Sequence, residues 1–160
     1  MDATQFVEKY RPIYRDLYRF ALCMLGNTHD AEDAVADSIA IGWEKREQLR
    51  RPDSFKSWMF QIVANSCRKK LRKAKRIEVT DPDKIELPEN HEMDAPEIVA
   101  IREAFATLSE IDRLIASLSI FGGYTSREIG AIVNLNPATV RSRRMRALEK
   151  LGRFLGGACL

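Results

Sequence analysis

The stretch "TSREIGAIVNLNPATVRSRRMRALEKLGRFL", Thr125–Leu155, decides how the second half of the chain folds. Thr125 and Glu128 have the spacing of a capping box, in which a hydroxyl and a carboxylate each take the other residue's backbone N–H and start a helix. Ile129, Ile132 and Val133 then share one face, and Gly130 leaves room for another helix to approach. Asn134 stands where that helix has to end, and asparagine tolerates a left-handed C-cap better than most residues. Leu135 plugs the turn. Asn136 suits an N-cap, and Pro137 suits a first helical position, where its missing N–H costs nothing. A second helix opening this soon after the first is the spacing of a helix-turn-helix, whose second helix enters the major groove of DNA.

Winding that second helix at about 100° per residue puts Val140, Ala147, Leu148, Leu151 and Leu155 on one side. Arg141, Arg143 and Arg146 fall on the flanks or the far side. Arginine can fork onto guanine or clamp a phosphate, so this cluster points to a polyanion. Arg144 falls inside the apolar stripe. It either snorkels at the domain edge or pairs with an acid such as Glu128.

Upstream, the period is helical throughout. Phe6, Tyr10, Ile13, Tyr14, Leu17, Phe20, Ala21, Met24 and Leu25 recur at three- and four-residue steps and read as one helix, stopped by Gly26-Asn27. A second helix follows, with Asp30, Glu32 and Asp33 crowding its first turn, where the helix dipole favours acids. Pro52 marks a break. Phe55, Trp58, Met59, Ile62, Val63 and Leu71 resume the helical period, and "RKKLRKAKR", Arg68–Arg76, packs seven bases into nine residues. A basic run continuous with an aromatic helix suits nucleic acid, with charge for the backbone and rings such as Trp58 and Phe60 for unstacked bases; Trp58 equally fits a core stripe.

Residues 77–95 hold acids against a single lysine and are broken by prolines, a composition expected of a flexible linker. Ile98, Ile101, Phe105 and Leu108 form another stripe, and Ser109 reads as a helix start. No strand-like alternation occurs. The expected architecture is all-α, with two small helical domains, 1–76 and 96–160, joined by the acidic linker 77–95.

Composition narrows the function. No run of apolar residues is long enough to span a membrane, and the acidic N-terminus lacks the apolar core of a signal peptide, so a cytoplasmic protein is expected. Cys23, Cys67 and Cys159 are scattered, which argues against disulfides and zinc; no cofactor or metal is expected. Cys23 and Cys67 are expected to pack on helices, and Cys159 to be exposed. His29 and His91 have no paired nucleophile, so an enzyme is not expected.

Three motifs in order resemble the extracytoplasmic-function sigma factors of bacterial RNA polymerase. "GNTHDAEDAVADSIAIGWEK" is similar to the family's polymerase-binding helix, "SFKSWMFQIVANSCRKKLR" to its −10-reading segment, and "TSREIGAIVNLNPATVRSRRMRALEKL" to its −35-reading signature. The resemblance implies that Asp33, Asp37, Ser38 and Ile41 meet the polymerase β′ subunit, with β a further partner. It implies that Arg51 and Ser54, in the loop from Arg50, hold a flipped base, with Asn65 near it and Arg68, Lys69 and Arg72 along the DNA backbone. Thr139, Arg141, Ser142, Arg143 and Arg146 would contact the −35 duplex, and an anti-sigma factor would hold the protein inactive. The chain departs from the pattern at Ala36, where glutamine is usual, at Gly42, where larger residues are usual, and at Arg144, where leucine is usual. The alternative is a helix-turn-helix regulator whose first half senses a ligand or partner.

Overall fold

The structure, a computed structural model, describes residues 1–80 and 96–156. The expected flexible linker 77–95 is helical over 77–80, and its remainder, like the expectation of an exposed Cys159, lies outside the described residues. The chain divides into two compact units, Met1–His91 and Glu92–Leu160. Every regular element among the described residues is helical.

The first unit holds α1 (Ala3–Tyr10), α2 (Tyr14–Leu25), α3 (Thr28–Glu44) and α4 (Phe55–Thr80). The stripe read as one helix is two. A 3-10 turn at Arg11–Ile13 separates α1 from α2. Pro12 supplies the reason: without an N–H it cannot continue the ladder of bonds, although its φ lets the chain re-enter a helix at once. Asp2 opens α1 with a reciprocal capping box to Gln5. Gly26 ends α2 in left-handed backbone, and the Asn27 side chain accepts the N–H of Asp30 to open α3. α4 runs on to Thr80, beyond the Arg76 end expected from the basic run.

α2, α3 and α4 pack against one another. Leu17, Phe20, Met24, Val35, Met59, Phe60 and Val63 are fully enclosed between them. Phe20 and Phe60 meet edge to face with ring centroids 5.7 Å apart. Phe6 brings α1 into the same core, contacting Trp43 and Phe55, each with centroids 5.5 Å away. Gly42 marks a close approach of α3 to α4. A Cβ there would lie 2.8 Å from the Met59 sulfur and 3.4 Å from the Phe6 ring, so a larger residue fits only where the Met59 side chain gives way.

Cys23 and Cys67 are buried as expected, and burial pushes both thiols from 9.0 up to about 12. Folded thiols therefore stay protonated where unfolded ones ionise, and stability falls as pH rises from about 9 toward 12. In a Cys159→Ser variant at pH 8, Ellman's reagent should label Cys23 and Cys67 only as fast as the protein unfolds. Prompt labelling of either would show that its helix does not cover it.

The second unit holds α5 (Pro96–Ala106), α6 (Glu110–Ile120), α7 (Ser126–Val133) and α8 (Pro137–Phe154). Ser109 caps α6 as expected, accepting the N–H of Asp112 at 3.3 Å. α6, α7 and α8 pack together, and α5 lies against α8. Leu114, Ile115, Leu118, Ile129, Val140 and Leu151 form the core. No described helix is long and apolar enough to cross a membrane.

Candidate nucleic-acid interface

The helix-turn-helix forms as its local chemistry dictates. The Thr125 N–H donates to Glu128 Oε1 at 3.0 Å, and the Glu128 N–H donates to Thr125 Oγ1 at 3.2 Å. These bonds to Thr125 hold the Glu128 carboxyl below its ordinary pKa. Asn134 adopts the left-handed cap at φ 58, the one positive φ outside glycine among the described residues. Asn136 accepts the Ala138 N–H at 2.8 Å, and Pro137 occupies the first turn.

Gly130 serves a different partner from the one its sequence suggests. A Cβ there would come within 2.6 Å of the Leu135 carbonyl oxygen, so the close approach is by the turn's own backbone and not by another helix. The Leu135 N–H in turn donates to the Gly130 carbonyl at 3.0 Å. This compact crossing is what sets α8 against α7.

On α8, Val140, Ala147 and Leu151 are buried, while Thr139, Arg141, Ser142 and Arg146 are exposed. Arg146 lies back along its helix, with Nε donating to the Ser142 carbonyl at 3.4 Å. Arg143 is placed otherwise: Nη1 donates to Asp112 Oδ1 on α6 at 3.0 Å, with both side chains largely covered. Arg144 is half-buried. The option of pairing it with Glu128 is not taken; that carboxylate accepts the Thr125 N–H in the capping box. Met145, not among the contacts expected from the sequence, is 61% exposed beside Ser142 and Arg146. An apolar side chain there can contact a thymine methyl. Its place off the Val140, Ala147 and Leu151 stripe, three residues after Ser142, was the available signal.

In the first unit an open pocket of ≈ 360 Å³ is lined by Gln48, Leu49, Arg50, Arg51, Ser54, Ser57, Trp58 and Gln61. Arg51 and Ser54 are thus brought together with Trp58, which is half-buried and packs on Phe55 with centroids 6.1 Å apart. Trp58 serves both the core and the pocket wall. Phe60 is fully enclosed and offers no face to a base. Asn65 is not in the pocket wall. It lies one helical turn beyond Gln61, and Arg68, Lys69 and Arg72 follow at three- and four-residue steps, so pocket and basic run lie along one side of α4. A planar group in the pocket and a phosphate chain along α4 would fit this layout. Gln61 was legible in the sequence as the residue one turn before Asn65. Gln48 and Ser57 were not, since only the loop's path brings them to Trp58.

On α3, Asp33 and Asp37 are exposed and Ile41 is half-buried. Asp33 lies 3.5 Å from His29, and Asp37 lies 3.8 Å from Lys70 of α4. Ser38 is a correction. It is fully buried, and its hydroxyl is 2.6 Å from the Ala34 carbonyl, to which it donates, and 3.1 Å from the Ser66 hydroxyl. A small hydroxyl on the inner face of α3 satisfies itself locally and cannot meet a partner surface. Among the described residues no group of three or more His, Cys, Asp or Glu is placed to hold a metal.

Residues 9–77 match sigma-70 region 2, and residues 98–151 match sigma-70 region 4. RNA polymerase sigma factor SigV of Bacillus subtilis is 33% identical over 135 residues, covering 84% of this chain and 81% of that protein. ECF RNA polymerase sigma factor SigM of Mycobacterium tuberculosis is 25% identical over 155 residues, covering 97% and 79%. Among solved structures, the sigma factor RpoE in complex with the anti-sigma factor NepR from Bartonella quintana superposes with a TM-score of 0.78 at 24% identity, covering 94% of this chain and 96% of that one.

Proposed function

We infer how the work is divided within this chain from its family: it belongs to the extracytoplasmic-function sigma factors of RNA polymerase, and so it is a transcription initiation factor and not an enzyme. It binds core polymerase and directs it to promoters. The region 2 match over residues 9–77 leaves no sensor half for the alternative of a helix-turn-helix regulator.

The first unit engages the polymerase through the exposed acids of α3, Asp33 and Asp37, with Ile41 beside them. The same unit takes the −10 element along α4. A flipped base enters the pocket of Arg51, Ser54 and Trp58, and Asn65, Arg68, Lys69 and Arg72 follow the strand. The observation that carries this reading is the continuity of pocket and basic run on one helix. The second unit sets Thr139, Arg141, Ser142 and Arg146 against the −35 duplex. The acidic stretch that follows α4 joins them. The protein acts in the cytoplasm, where its polymerase is. It is held inactive by an anti-sigma factor, as supported by fold neighbours solved in complex with NepR and with the cytosolic domain of CnrY.

Run-off transcription with bacterial core polymerase tests the function, on templates selected by the holoenzyme from a pool randomised over the promoter. The chain should yield defined transcripts that core alone does not. Reversing both α3 acids, Asp33→Lys with Asp37→Lys, should weaken capture of core by about tenfold, because two exposed interfacial charges then repel. Circular dichroism should show helicity retained. Unchanged capture would move the polymerase surface off α3.

A further inference from the structure

We propose that Arg143 is a positioning residue that holds the −35 recognition helix on α6 through Asp112, and that it does not itself contact DNA. The proposal rests on the reading of α8 as the −35 helix and refines it.

Three observations carry it. The first is geometric: Arg143 Nη1 reaches Asp112 Oδ1 at 3.0 Å, with side-chain exposures of 37% and 28%. A charge-assisted bond of this length, partly shielded from water, is not surrendered cheaply to a phosphate that water and salt ions also serve. The second is a parallel tie. Lys150 Nζ donates to the Thr107 carbonyl at 2.9 Å. Residues 143 and 150 lie two turns apart, about 20° from each other around the helix. Both basic groups therefore fasten the same edge of α8 to the start of α6 and the turn before it. The third is the contrast with Arg141 and Arg146, which are exposed and have no carboxylate partner among the described residues.

Asp112 sits in the first turn of α6, whose N-cap Ser109 receives its N–H. The backbone that carries Asp112 is thus set by its helix cap, independently of Arg143. α8 otherwise rests on the apolar contacts of Val140, Ala147 and Leu151, which resist separation but not small rotation. A directed bond on one edge fixes the rotation, and with it the heading of Arg141, Ser142 and Arg146 into the groove.

A double-mutant cycle on the complete holoenzyme tests this. The probe is a promoter duplex selected by the holoenzyme from a pool randomised at −35, titrated at several salt concentrations. Asp112→Asn and Arg143→Ala should each weaken −35-dependent binding by about fivefold, and the double variant should lose no more than either single one, as expected of two groups acting through each other. The slope of log affinity against log salt should not change for Arg143→Ala, because no phosphate contact is removed. Arg141→Ala should reduce that slope by about one.

The proposal is overturned if Asp112→Asn binds as tightly as the parent while Arg143→Ala loses base preference or salt slope, since Arg143 would then be in the groove. It is also overturned if the pair variants lower the melting midpoint of the protein yet leave DNA affinity unchanged, for then the pair is only structural. Failure of the −35 reading looks different. Neither Arg141→Ala nor Arg146→Ala would then alter binding at −35, whatever the pair variants did.

Discussion

Phe60→Ala should unfold the first unit under conditions where the second remains intact. Phe60 has no solvent exposure, and its ring closes edge to face on Phe20 at 5.7 Å, joining α4 to α2 at the centre of the core. Truncating a buried phenylalanine costs about 3–5 kcal/mol, from lost transfer energy and the cavity left behind. A unit of this size has a total stability on the order of 0.05–0.15 kcal/mol per residue, so the loss takes a large share of it. Both tryptophans, Trp43 and Trp58, lie in this unit, and fluorescence during urea denaturation therefore reports on it alone. The urea midpoint should fall steeply, and −10 and polymerase functions should be lost with the fold. Trp58→Ala is the informative contrast. Trp58 is half-buried and lines the pocket, so the fold should survive while opening of the −10 element is impaired. A small shift for Phe60→Ala would mean that α2 and α4 re-pack without it.

Gly130→Ala should cost the second unit about 2 kcal/mol even though alanine is the better helix former by about 1 kcal/mol. The obstruction is the Leu135 carbonyl oxygen, 2.6 Å from the position the new methyl would take. That oxygen belongs to the backbone of the turn, and the Leu135 N–H is bonded back to Gly130 at 3.0 Å, so neither can step aside alone. The turn must open, and α8 must move with it. Affinity for the −35 duplex should fall by about tenfold, which corresponds to about 1.4 kcal/mol. Thermal melting followed by circular dichroism and promoter binding by the holoenzyme check the two halves of the expectation. Gly42→Ala makes a fair comparison. There the atom in the way is the Met59 sulfur, near the end of a flexible side chain. Met59 can swing aside, the gain in helix propensity offsets the strain, and the change should be nearly neutral. Equal losses at the two glycines would show that the backbone or side-chain nature of the obstacle does not matter.

The local signals in this sequence were enough for the helical class, the two units and the helix-turn-helix. The Thr125–Glu128 capping box, helix-stopping Gly26 and Asn134, and the Asn136-Pro137 start act over a few residues, and each formed where its spacing placed it. The three motifs were likewise sufficient to identify the family. Pro12 shows a local signal overlooked: an apolar stripe can keep its period through a 3-10 turn, so periodicity alone did not reveal the break.

What a side chain faces was decided only by the tertiary structure. Periodicity gives an angle around a helix axis, not the neighbour found at that angle. Ser38 follows an acid-rich motif yet points into the α3–α4 contact. Gly42 read as an irregularity until Met59 and Phe6 filled the space beside it. Arg143 and Arg141 are two positions apart in a run of like residues, and sequence gave them one role. Asp112, on another helix 31 residues away, separates them. The pocket at Trp58 similarly depends on the path of a loop that brings Gln48 and Arg51 to the side of α4. Caps and turns are set by neighbours along the chain and can be read from it. Burial, ion pairs between helices and pocket walls arise from residues far apart in sequence, and they come into being only when the helices pack.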